Sequence, residues 1–239
     1  MNRRNWLQNI LGSGVAALTL GATFPAGVEA QIFSSPRRPS NRRRNVPKYP
    51  NAHFYKDGKF DVKAATAAYD ELFAYFNYSL KNTTKDKRFW VIDFNLGDFA
   101  NVGMGGIFWV NDKEHGYFGH EIYLLPGQMI VEHSHQPAED KPAKHEYWQV
   151  RHGSICTFAQ GGKEGDPVPE GFKIPVSQLE DKAVTAFIPK VLNVGEETPL
   201  KALGEWHFMV AGPEGAIVTE YASFHAGQGL KFQNKKASL

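Results

Sequence analysis

The chain has 239 residues, of which 42% are hydrophobic and 13% aromatic, with 23 Gly, 14 Pro and a formal net charge of +2. That size permits one substantial domain with tails, and the Gly, Pro and aromatic content argues for a turn-rich β protein over a helical bundle. Residues 1–46 hold seven Arg and one acid, Glu29, so the remainder is mildly acidic, which argues against a nucleic-acid partner.

Residues 1–30 read as an export signal. Arg3 and Arg4 form its charged region, and residues 10–24 are an apolar stretch too short and Gly/Ala-rich for a membrane span. Val28 and Ala30 are small residues before a cleavage point at Gln31, so no stable membrane span is expected after cleavage. The run Asn2-Arg3-Arg4-Asn5-Trp6-Leu7-Gln8 resembles a twin-arginine signal, although Asn2 and Gln8 replace the usual Ser/Thr and Lys. The expected location is periplasmic or extracellular. Residues 31–50, rich in Pro, Ser, Arg and Asn, read as a basic flexible linker. The domain is expected over 51–239.

Asp61 is placed to cap a helix over about 61–80, in which Tyr69, Leu72, Phe73, Phe76 and Leu80 form one apolar stripe. That stripe would cover the outside of a barrel or contribute to a homodimer. From Arg88 onward the chain reads as short strands over 89–94, 106–110, 120–125, 129–135, 146–151, 154–160, 183–188, 205–211 and 216–223. Pro126-Gly127, His152-Gly153, Gly161-Gly162 and Gly212-Pro213 are the expected turns. Together these predict an all-β double-sheet jelly roll with an N-terminal helix. Cys156 is the sole cysteine, which excludes an intrachain disulfide, and its strand setting makes it a buried packing residue.

His133-Ser134-His135 places two imidazoles on one side of an extended strand. On a following strand Glu146, Trp148 and Val150 share one face, and the apolar pair points that face inward. This puts Glu146 inside and His145 outside; the alternative, with His145 as ligand, requires Trp148 and Val150 to face out. His207 lies between Trp206 and Phe208, and parity alone leaves it open between a core residue and a third imidazole ligand. Three imidazoles and one carboxylate would hold a divalent metal with coordination positions to spare. Mn is the expected ion, and Fe, Co, Ni and Zn suit the same donors. His53, His115, His120, His152 and His225 have no paired spacing and read as surface or packing residues.

The stretches Leu124-Leu125-Pro126-Gly127-Gln128, Glu132-His133-Ser134-His135 and Lys144-His145-Glu146 resemble the cupin superfamily, and within it the D-lyxose isomerase-like sugar isomerases. Trp206-His207-Phe208 and Glu214-Gly215-Ala216-Ile217-Val218-Thr219-Glu220 extend that resemblance. Departures are His145 in place of an acid, and Trp-His-Phe in place of His-Trp-Phe. The resemblance implies a cupin-type fold, His207 as the fourth metal ligand beside His133, His135 and Glu146, and a small monosaccharide as substrate. It implies aldose–ketose isomerisation by proton transfer through a metal-stabilised cis-enediolate. Ala216, Val218 and Glu220 share a strand face, making Glu220 the expected base, with its pKa raised by burial. Lys144 is expected to stabilise charge on a sugar oxygen, with a solvated loop lysine as the alternative. Glu132 should face away from the histidines, and Gln128 either orients hydroxyls or holds a turn. An iron-dependent cupin dioxygenase and a non-catalytic carbohydrate-binding cupin remain as alternatives.

Overall fold

The structure, a computed structural model, describes residues 45–78 and 83–239. The expected export signal, Leu80 and the linker up to residue 44 lie outside the described residues. Among the described residues no helix is long and apolar enough to cross a membrane.

Asp61 caps helix α1 (Val62–Phe76), its carboxylate accepting from the backbone N–H of Lys63 at 2.9 Å and Ala64 at 3.2 Å. The helix stops short of residue 80 because Asn77 takes the left-handed conformation, φ 51°, which Asn tolerates better than most residues. Its apolar stripe buries Ala65, Ala68, Tyr69, Leu72 and Phe73 against Ile107, Tyr123, Leu125 and Ile217. The helix therefore covers the outside of the sheet.

The strands are β1 (Tyr55–Lys56), β2 (Lys59–Phe60), β3 (Phe89–Ile92), β4 (Met104–Asp112), β5 (Tyr117–Leu124), β6 (His133–His135), β7 (Glu146–Ala159), β8 (Ile188–Asn193), β9 (Glu197–Pro199), β10 (His207–Ser223) and β11 (Leu230–Phe232). β1 and β2 form a small ribbon, and the other nine strands form one antiparallel network. Two long strands bend this network into two faces. Residues 216–223 of β10 lie between β5 and the first half of β7, in the order β3-β4-β5-β10-β7-β9. Residues 207–211 lie between β6 and the second half of β7, in the order β11-β6-β10-β7-β8. The result is the predicted jelly roll.

Sequence patterning suggested four separate strands where the chain makes two. His152-Gly153 and Gly212–Gly215 are irregularities inside continuous strands, and the pairing register shifts there. Gly153 has φ +70°, and a Cβ on it would collide with the Gly215 carbonyl. The irregularities also change which residues face inward. In β10, Met209 and Ala211 face the interior before the bend, whereas Ala216 and Val218 do so after it. In β7, Trp148 and Val150 give way to Ile155 in the same manner. Residues 183–188 end a loop, and the strand runs over Ile188–Asn193 instead. β9, β11 and the short helix α2 (Val176–Glu180) carry too few residues for periodicity to reveal them.

Cys156 is buried among Phe158, Phe208 and Val210, and burial pushes its thiol up to about 12, as expected of a packing residue. Because Leu72 is fully buried between α1 and the sheet, Leu72→Ala should cost about 2–5 kcal/mol. Removing the helix cap with Asp61→Ala should cost about 1 kcal/mol. Urea denaturation followed by circular dichroism measures both.

Candidate metal centre

β6 is only three residues long, but it is paired on both sides. His133 lies opposite His207 of β10 and Phe232 of β11, and His135 lies opposite Leu230. The bend in β7 leaves Glu146 pointing into the interior with Trp148 and Val150, all three nearly unexposed. Phe208 packs on Phe158 on the opposite face, ring centroids 4.5 Å apart, which turns its neighbour His207 inward. His145 is exposed, and its ring Nε2 lies 3.1 Å from the Leu200 carbonyl outside the cluster. The alternative with His145 as ligand is thereby removed.

Donor atoms of His133, His135, Glu146 and His207 all lie within 4.8 Å of one another. His133 Nδ1 is 2.9 Å from the Val131 carbonyl, and His207 Nδ1 is 3.0 Å from the Glu205 carbonyl. Each ring can donate through Nδ1 and present Nε2 as a lone pair, the usual outer support of a ligating imidazole. His135 Nε2 and His207 Nε2 approach the Glu146 oxygens at 3.0 and 2.8 Å. Yet His135 Nε2, His207 Nε2 and Glu146 Oε2 are buried without a hydrogen bond of proper geometry. Buried polar atoms that converge without bonding one another need a common partner. A divalent cation satisfies all of them, and three nitrogens with one carboxylate oxygen fit a first-row metal.

Lys144 is not a loop lysine in solvent. It is buried, with Nζ 2.8 Å from Glu146 Oε1 and in close contact with Glu220 Oε1. Burial lowers the Lys144 ammonium, but the Glu146 and Glu220 carboxylates outweigh that and hold it above the ordinary lysine range. Glu220 is buried as its strand parity predicts, but its acidity differs from the expectation. Burial raises the carboxyl; the Lys144 ammonium and the His120 contact outweigh it, and the group sits below the ordinary glutamate range. A partner charge at contact distance overrides desolvation here. Burial keeps His133 well below the ordinary histidine range.

Two site residues were missed by spacing. His120 on β5 is buried, with Nδ1 3.2 Å from Glu220 Oε2, directly opposite Glu220 in the strand register. Its inward parity with Phe118, Ile122 and Leu124 was a usable signal. His225 follows β10, with its ring centroid 5.4 Å from that of His135. Glu132 faces away as expected, accepting from the backbone N–H of Thr185 and Ala186 and from the Thr185 hydroxyl. Gln128 holds its turn: its carbonyl accepts from Tyr69 and the Leu125 N–H, and its amide donates to the Phe99 carbonyl. It does not line the cavity beside the cluster. That cavity has a volume of about 110 Å³.

No family model matches the chain. It is 34% identical over 136 residues to a D-lyxose/D-mannose isomerase of Thermosediminibacter oceani, covering 56% of this chain and 69% of that one. It is 32% identical over 133 residues to a D-lyxose ketol-isomerase of Cohnella laeviribosi, with the same two coverages. Among solved structures, an L-ribose isomerase of Cellulomonas parahominis superposes with a TM-score of 0.54 at 14% identity, covering 81% of this chain and 96% of the other. An L-ribose isomerase of an Acinetobacter species gives 0.53 at 14% identity, covering 72% and 91%. These two structures share the fold.

Purified His133→Ala, Glu146→Ala and His207→Ala proteins should each bind divalent metal more than about 100-fold more weakly, beyond the loss typical of an outer-shell change. His145→Ala should bind as the parent does. Metal content by mass spectrometry after dialysis reads the difference.

Proposed function

The chain belongs to the D-lyxose isomerase family, and from that premise we propose that it interconverts an open-chain aldose with its 2-ketose, using His133, His135, Glu146 and His207 to hold a divalent metal and Glu220 to move the proton. The observation that carries this reading is the buried contact of Lys144 with both Glu146 and Glu220, which ties the cluster to a second carboxylate in one cavity. A divalent cation held by the cluster, manganese in this proposal, would supply Lewis acidity to the substrate carbonyl. D-lyxose and D-mannose are the first substrates to test, because they appear in the names of the relatives.

Glu220 takes the proton from C2 of the aldose and returns it to C1, while the O2 hydroxyl proton passes to O1. Its carboxylate is held at one oxygen by Lys144 and at the other by His120 Nδ1, so it meets the substrate ionised and in a fixed pose. Lys144 has two of its three N–H donors on carboxylates and its ammonium 4.2 Å from the Phe118 ring centroid, and it does not line the cavity, so its part is to hold Glu146 and Glu220 in place. Trp90, Phe108 and Phe118 close the cavity around His120 and limit water near the base. Export by the twin-arginine route is part of the proposal, supported by Arg3, Arg4 and the apolar stretch after them.

Glu220→Gln should lower kcat by about 10²- to 10⁴-fold, the usual contribution of a positioned acid–base group, while metal content stays at the parent level. In D₂O the parent should place deuterium at C2 of recovered aldose, and the variant should not. Parent-level turnover by Glu220→Gln would remove Glu220 from the role of base.

A further inference from the structure

The cavity wall around the cluster is of two kinds. Close to Glu220 it carries ring nitrogens. His120 Nε2, His225 Nδ1 and Trp90 Nε1 are buried and have no hydrogen-bond partner. Their rings form one aromatic group: Trp90 stacks on His120 at 5.6 Å, Phe118 on His225 at 5.4 Å, and Phe108 touches both histidines at 4.8 and 5.7 Å. Close to His133 the wall is hydrocarbon. Phe232 is the register partner of His133 and meets Phe94 at 5.7 Å, and Ile92, Met104 and Ile130 complete the patch. Among the described residues lining this cavity there is no Arg, Lys, Asn, Gln, Ser, Thr or Tyr.

A sugar whose C1–C2 end reacts beside the cluster would have its remaining carbons along this wall. The His120, His225 and Trp90 ring nitrogens are closed off from the open part of the cavity, and His120 Nε2 faces Gly106, so none of them is presented to a substrate hydroxyl. A hydroxyl or phosphate on the terminal carbon would lie on hydrocarbon without a partner, which is unfavourable, whereas a methyl group there gains from burial. We propose that the cavity is built for an uncharged aldose with a deoxygenated end, of the 6-deoxyhexose class. Its methyl lies against Phe94 and Phe232. The inference rests on the isomerase reading and narrows its substrate class.

The test uses the full chain loaded with Mn(II) and three matched sugars: D-mannose, 6-deoxy-D-mannose and mannose 6-phosphate. The expected kcat/KM for the 6-deoxy sugar exceeds that for D-mannose by at least about tenfold, roughly 1.4 kcal/mol, with no turnover of the phosphate. Equal or faster turnover of D-mannose overturns the inference and leaves the isomerase reading intact. Calorimetric titration with D-mannitol and its 6-deoxy analogue, which cannot isomerise, gives a second reading independent of chemistry. The same preference is expected there, and its absence overturns the inference even if no sugar turns over. Phe94→Asn places an amide in the hydrocarbon patch at a position with φ 53°, where Asn is well tolerated. It should reduce the preference about tenfold with metal content unchanged. An unchanged preference would show that the chain end does not lie on Phe94.

Discussion

Glu146 is 2% exposed and lies within 3.0 Å of two imidazole nitrogens and the Lys144 ammonium. A carboxylate taken so far from water costs several kcal/mol unless its neighbours compensate. Lys144 supplies one positive charge, which it shares between Glu146 and Glu220. The ionised groups form a chain of alternating sign, Glu146–Lys144–Glu220, with His120 at its end. Burial alone would neutralise both carboxyls. The Lys144 contact instead holds both below the ordinary glutamate range.

The rest of the molecule serves to hold that chain in place. β7 brings in Glu146, β10 brings in both His207 and Glu220, and β5 lays His120 opposite Glu220. α1 covers the outer face behind Tyr123 and Ile217, so the inner face can carry charged groups while the sheet stays packed. Room for the imidazole of His120 comes from Gly106, where a Cβ would collide with both His120 and Trp90. A small residue on β4 thus sets the pose of a side chain on β5, and through it the pose of Glu220.

Patterning with a period of two was enough to read Glu146 inside and His145 outside, because Trp148 and Val150 are unambiguous. The same reasoning placed Val218 and Glu220 together on the interior face. It failed where the signal is pairwise. His120 matters because it lies opposite Glu220, and that register is set by the whole sheet. The acidity of Glu220 was misjudged for a related reason: burial is legible along a strand, but the arrival of Lys144 from a loop 76 residues away is not. His152-Gly153 read as a turn because Gly with φ > 0 serves turns and strand irregularities alike.

The bend in β10 carries a consequence for the site. His207 and Glu220 have opposite numerical parity, and they face one interior only because the segment around 212–215 shifts the alternation by one. A regular strand of the same length would turn Glu220 outward towards the helix-covered face and bring Thr219, which now bonds Glu121, into its place. The irregularity of this short segment is therefore what keeps His207 and Glu220 on one face, though it lies outside the cluster itself.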